Sequence, residues 1–377
     1  MNFKPVPSKE FAIVWEIRPE EAYGALFEFG MEQCIALRRT WRALRGAPLP
    51  SFFKLKQFRK VPVVVSLHPA LARTFILPFR LARKKGEGPI QPDNFQAMLR
   101  DFLAKTTFEM RRIAGEDLGV EELDAILLDA RLTRVLADGL EVREDRPFEG
   151  RRIEGFLQVT MTTRAVFHDL HDLLHSGREL FFTERGPAAL AFLGRHAQGP
   201  LKFLDLEPQG GWYFRFDPDA EEVIKKTRFR WSSDELPAAL AAAWGISKKT
   251  ADAAYAMFVR GGFSNRANRF AAKLFAPIED GFDKALAKTK ASGSIYLRSI
   301  QPLPFHMPAK RGEAELSELP LGALLERSGI TWDLKAGAAA AAPESIPIFT
   351  SFLEYYYHRG DPRGHKMLTR HIHWISV

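Results

Sequence analysis

Two stretches of the chain share one pattern of hydrophobic and polar positions. The first has an apolar run at 11–17, a polar turn at 18–21 and a second apolar run, which contains aromatic residues, at 22–30. The second repeats this order over 202–216, again with an acid near the end of its first run. Apolar runs of this length, bounded by turn residues, predict β-hairpins. Because Glu16 and Asp205 hold equivalent places, the pattern indicates a duplicated protein with two related lobes.

A different pattern separates the two copies. Apolar, β-rich runs surround one helical pattern, which Asp93 can cap and which continues to about Arg112. The predicted strands lie at 61–69, 72–81, 123–142 (a hairpin) and 155–163. This strand–helix–strand–strand order predicts a small α+β subdomain inserted into the first lobe. The amphipathic pattern at 164–177 then predicts one helix that ends at Gly177.

The segment after the second hairpin is mostly helical in pattern. Helices are predicted at 235–244, 247–259, 268–291 and 346–357, with a strand at 294–300. The whole chain is therefore predicted to be an α/β protein with two lobes. Its predicted parts are 1–62 (first lobe, N-terminal part), 63–163 (inserted subdomain), 164–198 (helical return of the first lobe), 199–357 (second lobe) and 358–377 (a basic tail with His and Trp).

Composition narrows the class of protein. The 377 residues are 46% hydrophobic, which suffices for two or three domains. The chain has one cysteine, Cys34, and no apolar run that could span a bilayer or serve as a secretory signal, so a cytoplasmic location is expected. The net charge of +8 comes from basic residues scattered beside acids. Without a recognisable nucleic-acid-binding motif, nucleic acid is not expected as a partner.

The order of these parts resembles the actin-like ATPase superfamily, and within it the FtsA/PilM branch. The resemblance rests on the two hairpins, on the inserted subdomain, on the small-residue segment GPAALAFL and on the strand KFLDL that follows it. It implies a duplicated, ribonuclease-H-like fold in which each lobe opens with a hairpin that grips nucleotide phosphates. It covers nearly the whole chain through order and pattern rather than through one specific motif.

The loops that bind nucleotide in that family are altered here. The first family loop reads Asp-X-Gly-[Thr/Ser], whereas this chain has Glu16-Ile17-Arg18-Pro19-Glu20-Glu21. Arg18 replaces the glycine, and Pro19 removes an N–H donor. Two further glutamates would face the phosphates without an evident added cation, which opposes binding.

The second and third loops also differ from the family's loops in ways that oppose nucleotide binding. The second family loop is rich in glycine and carries two acids, but the run at 205–212 keeps only Asp205 at its motif position, with Glu207 and Pro208 in glycine places. The adenosine loop, normally rich in glycine, corresponds to 298–304 and has no glycine. The resemblance therefore predicts a vestigial nucleotide site without catalytic residues. Its residues are Glu16, Arg18, Asp205, Gly210, Gly211 and Ser299.

Several functions are compatible with these features. The first hypothesis is a pseudo-ATPase scaffold of a cell-division or pilus-type machine, with no cofactor. The resemblance implies a protein partner, either the tail of a tubulin-like division protein or a membrane-protein peptide bound beside the inserted subdomain. It also allows a homo-oligomer or filament. The alternatives are a polymerising ATPase that still binds ATP and magnesium, and a small-metabolite kinase of the same fold.

Two other groups of residues suggest contacts. The tail has cations interleaved with apolar residues and is a candidate for contact with a partner or with the inner face of the cell membrane. Its candidate residues are Arg359, Arg363, Lys366, Arg370 and Trp374. The run at 372–377 could instead be a docked strand. On the predicted helix at 164–177, His168, His171 and His175 share one face, but a solvated helix face is the better interpretation and no metal site is predicted.

Overall fold

The computed structural model describes residues 10–360, apart from 31–33, 48–49, 51–54, 56–57, 84–87, 89, 91, 142–150, 198, 220–222 and 334–341. The strands are β1 Glu10–Ile17, β2 Glu21–Phe29, β3 Cys34–Leu44, β4 Val63–Leu67, β5 Ala72–Ala82, β6 Ala125–Ala137, β7 Leu140–Glu141, β8 Arg152–Thr163, β9 Leu180–Glu184, β10 Leu201–Glu207, β11 Gly210–Phe216, β12 Ile224–Phe229, β13 Gly293–Ser299, β14 Ala309–Arg311, β15 Ala314–Glu318 and β16 Thr331–Trp332. The helices are α1 Pro92–Leu118, α2 Arg164–Asp169, α3 His171–Leu174, α4 Arg185–Leu193, α5 Glu235–Trp244, α6 Lys248–Val259, α7 Asn265–Lys288, α8 Leu321–Arg327 and α9 Ile346–Gly360.

The two lobes repeat one sheet topology. In the first lobe, β3, β2 and β1 are antiparallel, and β1, β4 and β9 continue the sheet in parallel. In the second lobe, β12, β11 and β10 are antiparallel, and β10, β13 and β15 are parallel. The strand order thus matches element by element, with β1 equivalent to β10 and β4 equivalent to β13. The predicted duplicated two-lobed α/β fold is confirmed.

The inserted subdomain is a four-stranded sheet in the order β5-β8-β6-β7, and α1 packs against it. Its apolar core is separate from those of the lobes, as expected of a small folding unit. The insert begins later than predicted, because β4 lies between β1 and β9 in the first-lobe sheet. All five residues of β4 are buried, and this burial on both faces is typical of a central parallel strand.

The chain returns to the first lobe before its end. The short strand β16 pairs in parallel with β3, and α9 packs against α4, β1 and β4. The predicted second lobe at 199–357 is therefore wrong for its last part. The reason is that the apolar face of α9 is buried against the first lobe, where the ring of Phe352 stacks on Phe27 with 4.3 Å between ring centroids.

The apolar side chains form layers around the two sheets. One core lies between the lobes and contains the inner faces of both sheets together with α4 and α9. The outer face of the first-lobe sheet has its own core, and the outer face of the second-lobe sheet packs against α5, α6 and α7. The inner core therefore places α4 and the ends of β1 and β10 at the junction of the lobes.

The helices predicted at 235–244, 247–259 and 268–291 correspond to α5, α6 and α7, whereas α8 was not predicted. The single helix predicted at 164–177 is two short helices, α2 and α3, separated at Leu170. The hydroxyl of Thr163 accepts a hydrogen bond from the Val166 N–H and begins α2. In the described part of the chain, no helix is long and apolar enough to cross a bilayer.

Candidate functional site between the lobes

The ends of β1 and β10 direct two carboxylates into the junction of the lobes. Because side chains alternate along a strand, Glu16 follows Val14 on the inner face of β1, and Asp205 follows Phe203 on the inner face of β10. Both carboxylates are 0% exposed. Buried carboxylates need charged or hydrogen-bonding partners, so their surroundings decide what the junction can do.

Arg185 supplies the central cation. It is the first residue of α4, and the next residue, Gly186, lets this end of α4 approach the second lobe, because a Cβ there would lie 2.2 Å from the ring of Phe214. The Arg185 Nε atom lies 2.6 Å from Asp205 Oδ2, and its Nη1 atom lies 2.7 Å from Glu207 Oε1. The same Nη1 atom is 3.4 Å from Glu16 Oε1, so one guanidinium joins acids of both lobes.

Two more arginines complete the arrangement. Arg298, opposite Asp205 in the parallel β10–β13 pair, forms an ion pair with Asp205 and donates from Nε to the Pro343 carbonyl over 2.7 Å. Arg18 Nη2 lies 2.9 Å from Glu16 Oε2. We call the six residues the interlobe charge cluster: Glu16, Arg18, Arg185, Asp205, Glu207 and Arg298. Its three cations balance its three anions.

The rim of the cluster is held by His68. Burial, and secondarily the charge of Arg185, lowers the pKa of His68 to about 4, so the ring is neutral near pH 7. Its Nε2 atom lies 2.8 Å from Glu207 Oε2, and its Nδ1 accepts the Ala70 N–H over 3.0 Å. Burial alone raises the pKa of Glu207, but the charge of Arg185 together with the hydrogen bonds from His68 and Arg185 outweighs burial and holds that pKa well below its usual range.

A second buried ion pair joins the lobes nearby. Lys226 of β12 places Nζ 3.0 Å from Glu184 Oε1 at the end of β9, and also donates to the Ala72 carbonyl at the start of the insert. Glu184 Oε2 accepts the Thr74 N–H over 2.8 Å. The two lobes and the insert are therefore connected by charged contacts between the chain's own residues.

The structure separates the six predicted site residues into three groups. Glu16, Arg18 and Asp205 meet in the charge cluster. Gly210 and Gly211 begin β11 directly after the β10–β11 turn, where Gly210 has φ +150° and a Cβ on Gly211 would lie 2.5 Å from the Asp205 carbonyl oxygen. The backbone conformation at Gly210 and the lack of room for a Cβ at Gly211 thus favour glycine at both positions, whether or not nucleotide binds.

Ser299, the sixth predicted residue, lines a cavity instead. This cavity of about 850 Å³ lies beside Arg298, between the end of β13, the α6–α7 turn and the start of α8. Its lining is mostly apolar, with Arg260, His306 and Glu318 among the polar side chains. By position it corresponds to the predicted adenosine loop, and its volume falls in the range of small-molecule sites. Arg298 lines this cavity and also reaches into the charge cluster.

A smaller cavity of about 140 Å³ lies between the insert and the first lobe. We call it the insert groove; its lining includes Arg131 of β6, Gln158 of β8, Ala191 and Arg195 by α4, and Tyr357 of α9. Arg131 is fixed by Glu354 at 2.5 Å and lies 3.9 Å from the Phe181 ring centroid. The groove is smaller than a typical small-molecule site.

The remaining candidates lie away from the junction. His171 and His175 have ring centroids 4.2 Å apart, and His168 belongs to the separate helix α2. Among the described residues, no group of three His, Cys, Asp or Glu side chains is arranged to hold a metal ion. Arg359 pairs with Glu10 and lies over the ring of Phe29. The other tail candidates, Arg363, Lys366, Arg370 and Trp374, lie outside the described residues.

Sequence reasoning missed two of the three cations of the cluster, Arg185 and Arg298. Arg185 stands between FFTE and a helix of small apolar residues, and Arg298 stands inside the buried strand GSIYLRS. A charged residue inside an apolar run must find a buried partner, and this signal could have identified both. Their partners could not be named, because they lie on other elements.

Comparison with known proteins supports the fold. No family model matches the chain, and no curated protein matches it. Among solved structures, the chain is similar to PilM in the PilM–PilN type IV pilus biogenesis complex, at 12% identity and a TM-score of 0.54, over 91% of this chain and 96% of that one. It also matches the cytoplasmic domain of EpsL, an inner-membrane component of the type II secretion system of Vibrio cholerae, at 11% identity and a TM-score of 0.32, over 85% and 94%.

A protein of Bacteroides thetaiotaomicron with an actin-like ATPase fold matches at 5% identity and a TM-score of 0.34, over 87% of this chain and 92% of that one. The PilM match carries the conclusion, because the other two scores are too low to add to it. The chain therefore shares the fold of PilM over nearly its whole length. The predicted fold resemblance is confirmed.

Proposed function

We propose that this chain is a non-catalytic adaptor in a membrane-associated machine of the pilus or secretion type, and that it acts through protein contacts. The observation that carries the proposal is the interlobe charge cluster. The chain's own arginines occupy the carboxylates that would otherwise bind magnesium and water, and the cluster is balanced in charge. The fold similarity to PilM, a protein described in complex with PilN, supplies the type of machine.

The cluster opposes nucleotide binding in two ways. A triphosphate would have to displace Arg185 from three carboxylates, and breaking a buried ion pair costs about 3–5 kcal/mol. The acids released in this way would then lie beside the phosphates and repel them. The first loop adds no compensating donor, because Pro19 has no N–H and Arg18 is held by Glu16, Glu21 and the Glu344 carbonyl.

Calorimetry with Mg-ATP tests this part of the proposal. The full chain is expected to give no saturable heat with Mg-ATP up to millimolar concentration, and no ligand-dependent rise in melting temperature. Asp205→Ala serves as the matched variant. Micromolar affinity in the wild-type chain that Asp205→Ala removes would contradict the proposal and favour the nucleotide-binding alternative, in which the base occupies the cavity beside Arg298.

The insert groove is the proposed site for the partner. Its lining is fixed before any partner binds, since Arg131 is held by Glu354, by the Phe182 carbonyl and by the ring of Phe181, and the Arg195 guanidinium lies 4.0 Å from the Tyr357 ring centroid. A preformed lining lowers the entropy cost of binding a short extended segment. The proposed partner is the cytoplasmic segment of a membrane protein, with one side chain seated in the groove.

Photo-crosslinking in the native cell tests the groove. A photoreactive phenylalanine in place of Tyr357 is expected to crosslink to a membrane protein, and Ala191→Arg in the same chain is expected to abolish that crosslink by filling the groove. The matched control places the photoreactive residue at Phe108, which is 68% exposed on α1. An identical set of crosslinks from Phe108, or crosslinks that survive Ala191→Arg, would contradict this site.

A further inference from the structure

Three helices of the second lobe carry an exposed surface that the proposed function does not use. Trp244 ends α5, Phe263 lies in the α6–α7 turn, and Phe270 lies on α7. The Trp244 ring stacks on Phe270 with 6.2 Å between centroids and contacts Phe263 at 5.7 Å. Met257 packs beside Gly262 at the same turn. Trp244 is 38% exposed, Phe270 45% and Met257 50%, so large apolar groups face solvent together.

Basic residues are frequent on the same helices as these apolar groups. The segment 244–278 contains six basic residues and one acid, in a chain with 54 basic and 46 acidic residues overall. On α7, Arg266, Arg269, Phe270 and Lys273 follow helical i, i+3, i+4 and i+7 spacing and share one exposed face. We call this surface the basic aromatic patch: Trp244, Met257, Phe263 and Phe270 with Lys248, Lys249, Arg260, Arg266, Arg269 and Lys273.

The cations of the patch are not used to stabilise the fold. The one acid of the segment, Asp252, lies 3.9 Å from Lys248, and the other five cations form no ion pair within the described part of the chain. Lys248, Lys249 and Arg266 lie near the starts of α6 and α7, whose first turns contain no acid. Cations at a helix start are unfavourable because the helix dipole is positive there. The arrangement therefore lowers stability while it concentrates positive charge beside exposed aromatic rings.

From this surface we infer that the basic aromatic patch docks on an anionic lipid bilayer. Tryptophan and phenylalanine rings insert at the level of the headgroups, and lysine and arginine beside them bind anionic lipids. A bilayer fits better than an acidic peptide, because Trp244, Met257 and Phe270 lie outside both cavities described above and are presented by helix ends and an exposed helix face. The inference does not depend on the proposed adaptor function.

Vesicle co-sedimentation with the full chain tests the inference. Vesicles of phosphatidylglycerol and phosphatidylethanolamine are expected to bind the chain, whereas pure phosphatidylcholine vesicles are not. Because exposed charges are screened by salt, binding is expected to weaken as ionic strength rises. Arg266→Gln/Arg269→Gln/Lys273→Gln is expected to weaken binding at least about tenfold. Trp244→Ala/Phe270→Ser is expected to remove the part of binding that resists salt.

Two matched variants separate the patch from net charge and from the tail. Lys284→Gln/Lys288→Gln/Lys290→Gln removes the same charge from exposed positions at the other end of α7 and beyond it, and is expected to bind within about twofold of wild type. Arg363→Gln/Lys366→Gln/Arg370→Gln alters the tail and is also expected to leave most of the binding. Arg266→Lys/Arg269→Lys keeps the charge and is expected to bind as wild type, which shows that charge at these positions, and not the guanidinium group itself, carries the binding.

Four outcomes would overturn the inference. The first is a wild-type chain that does not bind anionic vesicles at low salt. The second is an equal loss from the control at Lys284, Lys288 and Lys290, which would show that only net charge matters. The third is loss of binding from the tail variant alone. The fourth is a patch that binds a polyglutamate peptide but no vesicle, which would identify a protein partner instead.

Discussion

The ends of β1 and β10 hold equivalent carboxylates but neutralise them differently. Glu16 receives Arg18 from its own turn, two residues along the chain, over 2.9 Å. Asp205 instead pairs with Arg298 from the neighbouring parallel strand and with Arg185 from the helix that follows β9 of the other lobe. One copy of the repeat thus carries its countercharge locally, whereas the other takes it from distant parts of the chain.

This difference indicates which contacts hold the two lobes together. A local partner such as Arg18 can satisfy Glu16 even when the lobes are apart. Arg185 contacts acids of both lobes at once, so its full set of ion pairs forms only when the lobes are together. The contacts of Asp205 are therefore expected to contribute more to the free energy of unfolding than those of Glu16. Substitutions among the partners of Asp205 should destabilise the chain more than substitutions in the first turn.

The largest effect is expected from Arg185→Met. This substitution leaves Asp205 and Glu207 without their central cation, and loss of one partner of a buried ion pair costs about 3–5 kcal/mol. Urea unfolding at pH 7 measures the free energy of unfolding. A loss of less than about 1 kcal/mol would contradict the central role of Arg185.

A pH effect of similar size is expected from His68. Its folded pKa of about 4 lies below the ordinary value of 6.5, so the unfolded state binds the proton first as pH falls. His68 therefore stabilises the fold fully above pH 6.5 and loses about 3 kcal/mol of this contribution as pH falls to about 4. Urea unfolding at several pH values in this range gives the free energy of unfolding as a function of pH. This free energy should fall less steeply with falling pH in His68→Gln than in wild type. In His171→Gln, at an exposed position, it should fall as steeply as in wild type.

A smaller effect is expected from Arg18→Gln. Glu16 keeps Arg185 at 3.4 Å after this change, so only the local charged contacts are lost. Hydrogen bonds to charged groups contribute about 1.5–3 kcal/mol, and the expected loss is roughly 2 kcal/mol in the same urea measurement. A loss equal to that of Arg185→Met would remove the difference between the two strand ends.

The smallest effect is expected from a paired replacement. Asp205→Leu/Arg298→Met leaves two arginines and two glutamates in the cluster, so its charge stays balanced. Apolar replacement of a whole buried ion pair is often close to neutral, and a change within about 1 kcal/mol is expected. Each single substitution should cost several times more. Additive single effects in this double-mutant cycle would show that the two residues do not act as a pair.

The repeat, the insert and the second-lobe helices could be predicted, because period-two and period-3.6 patterns report burial on one face. The boundary errors have a common cause. The strand β4 and the helix α9 have the composition of buried elements, but pattern alone does not say which sheet buries them. At 164–177 the helical spacing of apolar residues continues across both short helices, so the pattern does not reveal the break at Leu170.

The sequence by itself determined two hairpins with equivalent acids, altered ligand loops and an inserted α+β subdomain, because each depends on neighbouring residues and local turn chemistry. Only the tertiary structure decided what the acids at Glu16 and Asp205 face. Arg185 reaches them from 169 positions along the chain on one side and 20 on the other. Charge pairing at such separations depends on the packing of α4 between the lobes, and no local pattern encodes that packing.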